Sequence, residues 1–159
     1  VNTMGSAVST YTAQNIGAGR YDRVSGGIRA SLTFMVSFSL IMIGVIYLFG
    51  GTMLGWFGDS LDETAVEAGV FYLRVVALGM APFCFFNVFN AVARGAGYMP
   101  AFTISTLTDL AVRVAFAYLF VGLFGRHVVA ISVVTGWAFG IAVSVGFHVS
   151  GKWRTAKRI

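Results

Sequence analysis

Charge is scarce in this 159-residue chain: Asp, Glu, Lys and Arg together make up 11% of it, less than half of the roughly 25% found in an ordinary soluble domain. Hydrophobic residues make up 57% before glycine is counted, and that composition excludes a single water-soluble domain. Carboxylates are scarcer still, six against eleven lysines and arginines. In a soluble protein the resulting net charge of +5 would raise nucleic acid as a partner. Here the basic residues stand at the ends of apolar runs, where they set topology and meet membrane lipid, so no nucleic-acid partner is expected. The single cysteine, Cys84, permits no intrachain disulfide. The two histidines, His127 and His148, have no cysteine or carboxylate at ligand spacing, so no metal site is expected. No nucleophile elbow, phosphate loop or metal motif is present, which argues against an enzyme and against a cofactor.

What the chain does have is long uncharged runs. Residues 30 to 58, 75 to 93 and 127 to 151 carry no charge, each near or above the ~18 residues that mark a membrane span. Residues 1 to 18 form a shorter run, about 27 Å as a helix, and read as the second part of a truncated span in a chain that lacks its natural beginning. The first full span is expected over 30 to 49, ended by Gly50 and Gly51. An acidic connection over 51 to 68 follows, with Asp59, Asp62, Glu63 and Glu67 beside the interfacial anchors Trp56 and Phe57. Further spans are expected over 69 to 93, from Pro100 to about Val121, and over 128 to 149. The fold class is therefore all-α, a polytopic helical membrane protein with about four full transmembrane helices plus the end of a fifth. Residues 1–150 make the transmembrane bundle and 151–159 a basic tail.

The basic residues give an orientation. Arg20, Arg23, Arg29, Arg94, Lys152, Arg154, Lys157 and Arg158 fall on one side, and only Arg126 on the other, with Arg74 and Arg113 inside spans. Since Lys and Arg are retained in the cytoplasm, the C-terminal tail is expected there, in a multi-pass protein of the cytoplasmic membrane.

Several residues do not belong in lipid. Asp109 and Arg113 lie about 14 and 20 Å into the Pro100 span, near the bilayer midplane, where each charge costs roughly 2.5 to 3.5 kcal/mol on insertion scales. At spacing i,i+4 they can pair, either as a structural lock or as a cation-responsive carboxylate whose partner changes during transport. Asn87, Asn90 and Arg94 follow at three- and four-residue steps and share one helix face. Upstream, Pro82 cannot donate to Leu78 and stands three residues after Gly79, which predicts a hinge. Small residues recur every four positions, at Gly5, Ser9, Ala13 and Gly17 and again at Ser132, Gly136, Gly140 and Ser144, a pattern for close helix approach. The line Ser6, Thr10 and Gln14 reads as a wet face. Phe83, Phe85, Phe86 and Phe89 are either packing or the wall of a cation cavity, and His148 is an interfacial histidine or, less simply, a proton relay.

Ala13-Gln-Asn-Ile-Gly-Ala-Gly-Arg20 followed by Asp22-Arg23 resembles a helix end and cytoplasmic loop in the second lobe of multidrug and toxic compound extrusion (MATE) transporters, and Arg94-Gly-Ala-Gly97 resembles a later loop of that lobe. The resemblance covers the whole chain. It implies part of a twelve-helix, two-lobe antiporter, coupled to H+ or Na+, that exports small organic cations by alternating access. The partner it implies is a missing N-terminal lobe of the same polypeptide, which holds an essential acidic residue in many members. The span over 69 to 93 has no carboxylate, so the second-lobe cation site of some members is not reproduced, and Asp109 is the remaining midmembrane acid. The competing readings are a lipid-linked saccharide flippase of the same superfamily, which needs a more basic cavity, and a non-transporting structural subunit. The orientation is tested by C-terminal fusions. A fluorescent-protein fusion should be bright and an alkaline phosphatase fusion inactive, and the reverse result refutes a cytoplasmic tail.

Overall fold

The computed structural model describes residues 2–55 and 63–155. Trp56, Phe57, Asp59 and Asp62 of the acidic connection and Lys157 and Arg158 of the tail lie outside the described residues, as do the side chains of Glu63 and Arg154. Within the described residues the regular elements are helical: α1 (Asn2–Gly17), α2 (Tyr21–Gly55), α3 (Glu63–Gly95), α4 (Met99–Phe124), α5 (Val128–Val149) and the short α6 (Lys152–Thr155). Among the described residues, three apolar stretches are long enough to cross a membrane, Tyr21–Gly55, Thr64–Gly95 and Met99–Val149. The last is folded back on itself by a 3-10 turn at Gly125–His127, which separates α4 from α5. The result is a polytopic all-α bundle.

The helices are longer than the sequence pattern predicts. α2 begins at Tyr21, so Arg23 and Arg29 lie in its first turns rather than in a loop, and it passes Gly50 and Gly51 to end at Gly55. α3 begins at Glu63 rather than near 69 and runs unbroken through Pro82. α4 passes Gly122 and ends at Phe124. Lipid explains the difference: a helical glycine costs about 1 kcal/mol relative to alanine, whereas an unpaired peptide group in hydrocarbon costs several. Pro100 sits in the first turn of α4, where its missing N–H costs nothing.

Two Gly-Ala-Gly sequences end helices in the same way. After α1, Arg20 N–H donates to the Asn15 carbonyl and Gly19 N–H to that of Ile16; after α3, Tyr98 N–H donates to the Ala93 carbonyl and Gly97 N–H to that of Arg94. This is the paired bonding of a Schellman cap. Gly19 and Gly97 take φ of 71° and 74°, the left-handed region where a side chain is disfavoured. Arg94 and Gly95 are thus the last turn of α3, not a loop.

α3 is the centre of the bundle and touches α1, α2, α4 and α5. Apart from Phe86 and Asn90, its buried residues are small or β-branched, among them Ala77, Cys84, Val88, Ala91 and Val92. Large apolar residues point outward instead, Leu48 at 78% exposed and Leu119 at 77%. In hydrocarbon there is no gain from hiding leucine, so close packing of small residues decides which faces meet. The pattern at α5 is met in full, with Ser132, Gly136, Gly140 and Ser144 all buried. On α1 it holds for half: Gly5 and Ser9 face α3, while Ala13 and Gly17 are exposed. Beyond α5 the chain folds back, and Trp153 of α6 is buried, its indole N–H donating to the His148 carbonyl at 3.1 Å.

A Cβ on Gly95 would collide with the Ser9 carbonyl oxygen and stand 2.8 Å from Thr12 Cβ, while one on Gly44 would meet nothing. Gly95→Ala is therefore expected to destabilise the protein by about 1–3 kcal/mol and Gly44→Ala to leave it unchanged or slightly more stable. Thermal unfolding in detergent compares the two, and equal melting temperatures would remove the α1–α3 contact from the account.

Candidate functional site: a polar seam between α3, α4 and α5

Polar side chains are buried where three helices meet. Asn90, 5% exposed, projects from α3 between α4 and α5. Ser105 Oγ on α4 donates to Asn90 Oδ1 at 2.6 Å, also lying 3.0 Å from the Phe102 carbonyl of its own helix. Ser144 Oγ on α5 reaches the same oxygen at 3.4 Å. One asparagine carbonyl thus gathers two hydroxyls from two other helices, and each hydroxyl is spared exposure to an apolar medium.

One turn along α4 stands Asp109. Arg113 Nη2 donates to its two oxygens at 3.1 and 3.0 Å, so the predicted i,i+4 pair forms. Asp109 is 13% exposed and Arg113 33%. The pair is held from the side by α5. A Cβ on Gly136 would stand 2.9 Å from the Asp109 carbonyl oxygen, and one on Gly140 would stand 3.3 Å from Asp109 Cβ and 2.7 Å from the Phe86 ring. The two glycines make the room for an ion pair inside a helix interface. Arg113 Nε is buried without a partner, so the neutralisation is through one edge of the guanidinium.

A cavity of about 290 Å3 opens beside the seam, between α1, α3 and α4. Asn87 and Asn90 line it, with Arg94, Phe83 and Phe86 from the same helix. Phe102 and Thr106 form the α4 wall and Ser6 the α1 wall. The structure therefore brings Asn87 and Asn90 together as expected, and two of the four phenylalanines with them. Phe85 is 40% exposed, and Phe89 packs instead on His148, ring centroids 4.8 Å apart. His148 is itself stacked on Trp153, an aromatic packing position.

Other predicted residues lie elsewhere. Thr10 and Gln14 are exposed on the outer face of α1 with Ser6, and Ser6 alone of the three reaches the cavity. Gly79 faces α5, where a Cβ would stand 2.8 Å from Val134 and 3.0 Å from Trp137, so it serves close packing of α3 on α5. Arg74 lies over the Tyr47 ring at 5.6 Å, joining α3 to α2. At the far end Arg126 and Glu67 approach to 3.6 Å, both largely exposed, a pair of small energetic weight.

Arg94 was counted both as a topology charge at a loop and as a member of the Asn87–Asn90 face, and it lies in the last turn of α3 on that face. Its guanidinium lies over the Phe102 ring at 5.0 Å, and its Nε is buried without a partner, as is Asn87 Oδ1. The signal was present in the three- and four-residue steps that put Arg94 on the Asn87–Asn90 face. Phe102 and Thr106 had no such signal, because their place on the wall depends on how α4 lies against α3.

The fold defines a multi-pass helical membrane bundle with a polar seam and a half-open cavity beside it. A model of the MatE family matches residues 1–119, more than half of the chain, and the protein belongs to this family of membrane transporters. Comparison with the curated proteins and with the solved structures gave no match.

Removing one partner of the Asp109–Arg113 pair leaves a charge between packed helices, a loss of about 3–5 kcal/mol for a fully buried pair and less here because Arg113 is a third exposed. Arg113→Met alone should therefore lower the melting temperature more than Asp109→Leu combined with Arg113→Met. A double variant less stable than the single would show that the charges themselves hold the helices.

Proposed function

We propose that this chain is part of a cation-coupled antiporter, driven by H+ or Na+, that exports organic cations or drugs across the cytoplasmic membrane by alternating access. The observation that carries the reading is the conjunction of membership in the MatE family with a midmembrane carboxylate set in a helix interface, Asp109 held by Arg113. A charge there is costly and rare in membrane helices, and transporters use such groups as ion-responsive elements.

In this reading the partner of Asp109 is exchangeable. When a proton or sodium ion engages the carboxylate, Arg113 is released and the α4–α5 contact at Gly136 loses its electrostatic lock, which biases the lobe toward its other packing. Asn87 and Asn90 line the substrate path, and the exposed Thr10 and Gln14 extend it along α1. Pro82, which leaves the Leu78 carbonyl without its helical donor, with Gly79 lets α3 bend as the lobes rock. The tail lies in the cytoplasm, and an N-terminal lobe of the same polypeptide supplies the opposing half.

The test is the accumulation of a fluorescent organic cation in cells expressing the intact transporter that carries this chain, with the proton and sodium gradients collapsed in turn. Expression should lower dye content, collapse of one gradient should restore it and name the coupling ion, and Asp109→Asn should abolish gradient-driven export while the protein remains folded in the membrane. Export that survives Asp109→Asn removes the coupling role. No effect on any cationic dye transfers the assignment to a lipid-linked saccharide flippase or a structural subunit.

A further inference from the structure

The cavity wall carries a positive charge without a counterion. Among the described residues two ion pairs form, Arg113 with Asp109 and Arg126 with Glu67, and neither involves Arg94. Its guanidinium rests on the Phe102 ring, which orients the plane and leaves the N–H edges for a ligand. Arg94 Nε and Asn87 Oδ1 are both buried and unpartnered. The two side chains converge on one point of α1: a Cβ on Gly5 would collide with Asn87 Oδ1 and stand 3.5 Å from Arg94 Nη2. A buried donor left unmade is costly, and a guanidinium is satisfied best by a planar or tetrahedral oxyanion that takes two of its N–H groups. Amide rotation turns the Asn87 nitrogen toward the same ligand, adding a donor. Thr106 brings a hydroxyl from the opposite wall, and Phe83, Phe86 and Phe102 supply apolar surface.

We propose that the cavity bounded by Arg94, Asn87, Thr106 and these phenylalanines binds an oxyanion, a phosphate or carboxylate, carried on a small apolar or aromatic body. The volume of about 290 Å3 lies at the lower end of ligand pockets, which fits one anionic group and a ring or chain segment rather than a whole drug. Arg94 stands in the last turn of a 33-residue helix, hence near the level of lipid headgroups, so the anion can come from a lipid or from solution. Once bound, it cancels the charge that would repel an organic cation from Asn87 and Asn90. The inference rests on the cavity geometry and not on coupled export.

Calorimetric titration of the intact transporter in neutral phosphatidylcholine nanodiscs, without ion gradients or drug, tests it. Phenyl phosphate should bind, inorganic phosphate more weakly, and benzyltrimethylammonium, with the same ring and the opposite charge, not measurably. Arg94→Gln should weaken phenyl phosphate at least about tenfold, as expected for losing charge-assisted hydrogen bonds, and Arg94→Lys should retain part of the affinity. Asn87→Asp, which places a carboxylate beside the guanidinium and keeps the helix packing, should abolish binding and serves where Arg94→Gln fails to fold. Replacing the neutral lipid by phosphatidylglycerol separates the sources: a fall in phenyl phosphate affinity identifies a lipid headgroup as the occupant, and an unchanged affinity a soluble anion. Absence of phenyl phosphate binding in neutral lipid, equal binding of the cationic probe, or unchanged affinity in both variants overturns the proposal.

Discussion

Small residues at the helix crossings set how close the backbones come, and the buried polar chemistry follows from that distance. Gly136 and Gly140 let α5 lie against the Asp109 backbone, and without them the Asp109–Arg113 pair would sit in a wider gap open to lipid. Gly5 and Gly95 do the same between α1 and α3, bringing Ser9 and Thr12 against the end of α3. In water such contacts would be secondary to burying leucine and phenylalanine. In hydrocarbon those side chains gain nothing by turning inward, so van der Waals contact between slim helix faces and hydrogen bonds across them remain as the cohesive terms.

Arg113 and Arg94 show how the same side chain is treated in two ways. Arg113 has a carboxylate one turn away on its own helix, and the pair carries its neutrality with it wherever α4 moves. Arg94 has no such companion; Phe102 gives it a face but no countercharge, which makes it a place for something brought from outside. One arginine belongs to the internal balance of the bundle and the other to its ligands.

Membership in the MatE family gives these features a common setting. The alternating access proposed for this chain requires faces that part and re-form without leaving peptide groups bare, and the capped ends of α1 and α3 suit that requirement. The Schellman caps after Gly17 and Gly95 end α1 and α3 with their last carbonyls satisfied. The buried polar chemistry runs along α3 and α4 from Asp109 and Asn87 to Arg94, which stands in the last turn of α3 at its cap.

The order and number of membrane helices, the Asp109–Arg113 pair, the small face of α5 and the Asn87–Asn90 line were all legible in the sequence, because each is a matter of spacing along one helix. Helix ends were less so. Gly50, Gly51 and Gly122 read as stops by the rules of water, and lipid carries the helix through them because an open peptide group costs more than a glycine. Gly79 was read for its flexibility, and its contacts with Val134 and Trp137 become visible only when α5 is in place. Arg94 was read both by its sign, as a topology charge, and by its step from Asn90, which put it on the Asn87–Asn90 face; its place over Phe102 depends on how α4 lies against α3. By itself the sequence determined the medium, the helical class and the Asp109–Arg113 pairing within α4, since local spacing and solvent fix these. Only the tertiary structure decided the cavity and the gathering of Asn90, Ser105 and Ser144 at one oxygen, because these depend on the rotation of three helices about their own axes, which no spacing along a single chain records.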